Sequence, residues 1–127
     1  MAYVYFSNNP LDRNVGDCVV RALSLVLDLD WEMTYINLCS IGLMDADMPN
    51  SNAVWGKLLR QEGFRKYVVE DYCPDCYTIE DFTKDHDVGT FVVCTGSHVV
   101  AVINGDYFDT SDSGSEVVQY YFHKEVI

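Results

Sequence analysis

Between two β-rich runs, His98 to Ile103 and Tyr107 to Thr110, stands the pair Asn104-Gly105. No other pair in the chain restricts its folding so tightly. Asn and Gly both tolerate the left-handed backbone that a two-residue hairpin turn requires. Such a turn pairs Ile103 with Asp106, so His98 faces Ser111 and Asp109 faces Val100. Side chains two apart share a face, which puts His98, Val100 and Val102 on one face with Tyr107, Asp109 and Ser111. Asp109 becomes the diagonal neighbour of His98, at roughly 7–8 Å between backbones. A turn one residue longer or shorter moves Asp109 to the opposite face.

The segments around this hairpin share its character. Thr90 to Thr95 and Glu116 to Phe122 are also β-rich, and with the hairpin they predict an antiparallel meander. The first half reads differently. Tyr3 to Phe6 suits a short strand, and Asn8 to Asp17 a loop. From Cys18, apolar residues at Val19, Ala22, Leu23, Val26 and Leu27 follow helical spacing. Asp28 to Asp30 ends that helix and caps a second, Trp31 to Ile41, with Gly42 as its terminator. Leu43 to Asn50 reads as a loop. Ser51 or Asn52 opens a third helix through Trp55, Leu58 and Leu59 to Glu62, stopped by Gly63. Phe64 to Val69 suits a strand, and Thr78 with Asp81 opens a short helix through about Lys84. Helices first and a meander after predict an α+β fold. Residues 1–127 are expected to form a single domain.

Composition narrows the function classes. The 127 residues are 49% hydrophobic, ample for a packed core without a stabilising disulfide or metal. The formal net charge of −12 argues against nonspecific binding to nucleic acid or to an anionic membrane. The longest run without Asp, Glu, Lys or Arg, Val88 to Gly105, holds Gly89, Gly96, His98 and the Asn104-Gly105 turn and is not expected to span a bilayer. The start of the chain lacks the basic residues of a signal peptide, and with so short a segment before Cys18 neither a signal peptide nor a propeptide is expected. With an odd count of five cysteines, this predicts a cytoplasmic protein with free thiols.

One of those thiols stands in a distinctive place. In Gly16-Asp17-Cys18-Val19-Val20-Arg21-Ala22-Leu23 a cysteine opens a helix, where unpaired N–H groups and the positive end of the dipole favour a thiolate. A nucleophilic thiolate needs an imidazole, and the imidazole needs an orienting carboxylate or amide. The chain has three histidines, His86, His98 and His123, and the hairpin gives His98 a carboxylate.

GDCVVRAL followed by GSHVVAVINGDYFDT resembles the papain-like cysteine peptidases. It is similar to small papain-like proteins of bacteria and phages that carry DCxxRAL and GHxxAVxxG motifs, with one extra residue here in Gly96-Ser97-His98. The resemblance covers the order of elements over most of the chain. It implies N-terminal helices packed on a C-terminal antiparallel sheet, and a thiol hydrolase acting on peptide, isopeptide or other amide bonds of a peptide or protein substrate, with no cofactor. Cys18 would be the nucleophile, His98 the general base and Asp109 the orienter. Such enzymes place a Gln or Asn a few residues before the cysteine, often six, to bind the oxyanion. Here that position is Asp12, whose charge would repel it. Asn14, Asn8 and Asn9 are the substitutes, beside the backbone N–H of Cys18. With that donor in question, the alternative is a catalytically weak or inactive module that binds a protein partner, such as an acidic phage inhibitor.

Other features carry a plainer and a sharper reading side by side. Asp109 can simply end its strand, and Asp112 is a reserve orienter. Arg21 is either a solvated arginine or a buried partner of Asp17 or another acid that fixes the helix start. Cys73-Pro74-Asp75-Cys76 is half a zinc site, a redox pair or a tight turn. A second CxxC is lacking, as is the βαβ context of a thioredoxin-like pair, so Cys73 and Cys76 are weak metal candidates. Cys39 and Cys94 read as core. The acidic residues between Glu70 and Asp87 read as a solvated face.

Overall fold

A computed structural model of the chain describes residues 2–124. They form a mixed α+β fold of four helices and a six-stranded sheet. In chain order these are β1 (Tyr3–Tyr5), α1 (Cys18–Leu27), α2 (Trp31–Asp45), α3 (Asn52–Gln61), β2 (Phe64–Val68), α4 (Ile79–Asp85), β3 (Thr90–Cys94), β4 (Val99–Ile103), β5 (Asp106–Asp109) and β6 (Tyr120–Lys124). Across the sheet the order is β1-β5-β4-β3-β6-β2.

The hairpin forms with the register its turn demands. Asn104 and Gly105 take φ values of 49° and 82°, and Ile103 pairs with Asp106. Asn104 also ties the turn to the start of β3, because its side-chain oxygen accepts the Gly89 N–H at 3.0 Å.

The sheet departs from a simple meander in two ways. β3, β4 and β5 follow one another antiparallel, but β6 pairs with β3 and β2 rather than with β5. The outer edge of β5 is instead taken by β1, which runs parallel to it. So the sheet is not antiparallel throughout, nor wholly C-terminal. The physical reason lies in β6. Its Phe122 and Tyr121 pack on opposite faces of the sheet, which suits a strand paired on both edges. The crossover from β5 also places Val118 in the core before β6 begins at Tyr120, later than the expected Glu116.

Alternation along the strands builds two apolar clusters. Val92, Cys94, Val99, Ala101 and Phe122 pack with residues of α1, α2 and α3 on one face. Phe91, Val93, Val100, Val102 and Tyr107 pack with Ile79 and Phe82 of α4 on the other. Helices therefore lie on both faces. Trp55 of α3, fully buried, meets Phe122 edge-on at 5.4 Å between ring centroids.

Helix ends follow local chemistry, with one correction. Asp30 caps α2 by accepting the Met33 N–H at 2.7 Å. Thr78 and Asp81 form a reciprocal capping box at the start of α4. The expected stop of α2 at Gly42 is wrong: the helix runs to Asp45 and ends at Ala46, with φ 53°. Gly42 serves closeness instead. A Cβ there would stand 2.7 Å from the Asp47 carbonyl oxygen, which folds back over the helix.

The expectation of five free thiols is also corrected. Cys73 and Cys76 are joined as a disulfide, their Cα atoms brought to 4.1 Å by the turn between them. Cys18, Cys39 and Cys94 are free. Among the described residues no cluster of three or more His, Cys, Asp or Glu is placed to hold a metal. Among them too, no helix is long and apolar enough to cross a membrane.

Candidate active site

Cys18 is the first residue of α1 and is half-buried. Asp17 stands at the N-cap, yet its carboxylate does not cap the helix. It accepts instead from Arg21 Nη1 at 2.6 Å and from Trp31 Nε1 at 3.0 Å. The first-turn N–H groups of α1 therefore lack a side-chain cap, and their partial positive charge falls beside the Cys18 sulfur.

His98 precedes β4 by one residue and Asp109 is the last residue of β5. His98 Nε2 lies 2.6 Å from Asp109 Oδ2, which leaves Nδ1 as the ring nitrogen available to the neighbouring Cys18 thiol, whose interaction with the ring helps raise the His98 pKa. The Val99 backbone N–H also favours the Cys18 thiolate. Asp109 is 1% exposed and takes four donors. Oδ1 accepts from Arg21 Nη2 at 3.0 Å and the Thr110 N–H at 2.7 Å. Oδ2 accepts from His98 and from Ser113 Oγ at 2.8 Å.

The electrostatics follow from these contacts. Burial opposes ionisation of Asp109, but the bonds from His98, Ser113 and Thr110 and the His98 charge outweigh it, and its pKa is lowered. The Asp109 bond, followed by the Cys18 bond, raises His98 to about 10 against the pull of desolvation. Burial also opposes the Cys18 thiolate. The His98 and Val99 bonds and the charges of His98 and Arg21 more than offset that, so the thiol lies below its ordinary value. The arrangement favours a thiolate beside an imidazolium.

The three groups meet in a way the strand pattern alone does not give. Val100, Val102 and Tyr107, the expected face-mates of His98 and Asp109, pack toward α4. Helix α1 packs on Val99 and Ala101 of the other face. His98 and Asp109 reach Cys18 because both stand at the end of the sheet, where the first turn of α1 arrives.

The oxyanion candidates do not join this cluster. Asp12 and Asn14 are exposed and line a polar cavity of about 360 Å³, with Asp17 and Thr110 on its wall and Cys18 and His98 outside it. Among the described residues neither side chain hydrogen-bonds to Cys18, His98 or Asp109. Asn8 donates to Ser24 Oγ at 2.8 Å, well along α1, while its Oδ1 is buried without a partner. Asn9 Oδ1 accepts the N–H groups of Leu11 and Arg13, at 3.0 and 3.2 Å. Both side chains hold the 8–17 loop rather than face the sulfur. Asp112, the reserve orienter, is engaged by Tyr107 Oη at 2.5 Å and the Gly114 N–H at 3.0 Å.

Two contributors are not legible as site residues in the sequence. Trp31 reads there only as packing, and Ser113 as part of a turn; each donates to a site carboxylate. The signal for Ser113 is faint, a hydroxyl four residues past Asp109 in a turn-rich segment.

Compared with protein-family models, curated proteins and solved structures, the chain matches none of them.

Proposed function

We propose that the protein is a thiol hydrolase of papain-like type, cleaving peptide, isopeptide or other amide bonds through Cys18, His98 and Asp109. One observation carries this reading: a carboxylate, an imidazole and a thiol in series, with the thiol opening a helix. The Cys18 thiolate adds to the carbonyl carbon, and the C=O electron pair moves to oxygen. The N–H groups at the start of α1 are the donors nearest that oxyanion. His98 gives its Nδ1 proton to the leaving nitrogen as the C–N bond breaks. Water then loses a proton to Nδ1 and adds to the thioester, and loss of the C–S bond restores the thiolate and releases the acid.

One observation favours a second reading. Among the described residues no side-chain amide is placed with Cys18 to stabilise an oxyanion, which suits a module that keeps the fold and binds a partner without turnover. Thiol reactivity separates the two. A haloacetamide at pH 6, with the modified site assigned by mass spectrometry, should label Cys18 before Cys39 and Cys94. Turnover of a panel of peptide and isopeptide substrates then decides between hydrolase and binder. Labelling of Cys18 no faster than of free cysteine removes the hydrolase reading.

A further inference from the structure

Arg21 is 5% exposed and sits between two carboxylates that belong to different elements. Nη1 donates to Asp17 Oδ1 at 2.6 Å, one residue before the thiol, and Nη2 to Asp109 Oδ1 at 3.0 Å, across to β5. The charged or titratable groups around it are Asp17 and Cys18 of α1, Asp109 of β5 with His98 beyond it, and Tyr3 of β1, whose hydroxyl donates to the Asp109 carbonyl. Arg21 is the only fixed cation in this set.

We infer that Arg21 is a positioning residue for the thiol chemistry: it joins the helix that carries Cys18 to the carboxylate that holds His98, and its charge sets the balance of the thiolate–imidazolium pair. This rests on the proposed role of Cys18 and His98. The argument has a geometric and an electrostatic part. Asp109 offers two oxygens. With Oδ1 held by the guanidinium and the Thr110 N–H, Oδ2 is fixed toward the imidazole. A rigid fork reaching two carboxylates at once is what Arg supplies and Lys does not. Electrostatically, a buried Asp109 with no second cation would hold the imidazolium proton harder, against its release to a leaving group. Arg21 partly neutralises that carboxylate. The same charge lies within one helical turn of Cys18 and favours the thiolate.

The test is the pH profile of Cys18 alkylation by iodoacetamide, followed by mass spectrometry, with folding checked by thermal melting. Arg21→Gln should move the acid limb of the profile up by about one pH unit, roughly tenfold in rate below the limb. Arg21→Lys should restore most of the limb, because the charge remains, while recovering only part of the rate. Asp17→Asn removes a negative charge beside the thiol and should move the limb down. Opposite signs for Arg21→Gln and Asp17→Asn identify a charge effect; loss of structure alone would leave the limb of the folded fraction unmoved. If Arg21→Gln does not fold, Arg21→Lys and Asp17→Asn decide: a lowered limb in Asp17→Asn and a near-native limb in Arg21→Lys support the inference. Acid limbs coinciding with wild type in every folded variant overturn it. A wild-type Cys18 with no enhanced reactivity at all removes the hydrolase reading instead, so the two failures are distinguishable.

Discussion

His98 and Asp109 meet at 2.6 Å across a hairpin whose turn is two residues long, and the carboxylate has no exposure to speak of. The imidazole is thus held by a group that water does not compete for. If this pair activates the thiol, its two halves should matter unequally. His98→Ala should slow Cys18 alkylation at neutral pH on the order of a hundredfold, since the proton partner is lost. Asp109→Asn should slow it on the order of tenfold, leaving an imidazole that is less well oriented and less basic. Rates measured with iodoacetamide check both; equal, small effects would disconnect the pair from the thiol.

The raised pKa of His98 has a sign that can be measured. A group whose folded pKa lies above its unfolded value stabilises the fold fully below the unfolded value, and that stability is lost as pH rises through the folded value. For His98 the window runs from about 6.5 to about 10. Cys18 titrates with the opposite sense: its pKa is lowered, so its contribution is present above the ordinary thiol value and lost as pH falls. Cys18→Ser removes that second titration, at small cost in volume. In this variant the His98 window narrows, because the Cys18 contribution is gone while Asp109 still raises the imidazole; the melting temperature should still fall as pH rises through it, and adding His98→Ala should flatten that slope. An unchanged slope in the double variant would place the titration elsewhere.

Gly105→Ala tests the turn that fixes the site. The residue sits at φ 82°, where a Cβ costs about 1–2 kcal/mol. Denaturant unfolding should report a loss of that order. The change should also slow Cys18 labelling if it loosens the His98 and Asp109 register.

Gly42→Ala provides the contrast. Its Cβ would meet the Asp47 carbonyl oxygen at 2.7 Å, and backbone must shift to admit it. A loss of roughly 1–3 kcal/mol is expected, with the rate of Cys18 alkylation unchanged, because Trp31, the α2 residue that bonds a site carboxylate, stands at the other end of the helix.

The cysteines can be counted. The denatured, unreduced protein should show three reactive thiols, Cys18, Cys39 and Cys94, and reduction should release the pair Cys73 and Cys76. Five thiols before reduction would open that bond, and one equivalent of metal in the purified protein would restore the zinc reading.

By itself the sequence determined what depends on near neighbours. Asn104-Gly105 set the hairpin register, because only residues that accept positive φ can close a two-residue turn, and the register carried Asp109 beside His98. Apolar spacing after Cys18 set α1, and Thr78 with Asp81 set the start of α4. Tertiary structure decided what depends on distant partners. The place of β6 between β3 and β2, the parallel pairing of β1 with β5, and the run of α2 past Gly42 all follow from what packs against those segments. So does the meeting of Cys18 with His98, which turns on where α1 crosses the end of the sheet rather than on strand alternation. Arg21 shows the division within one side chain. Asp17, four residues away, was legible from helical spacing, whereas Asp109, eighty-eight residues away, became its second partner only when the chain folded.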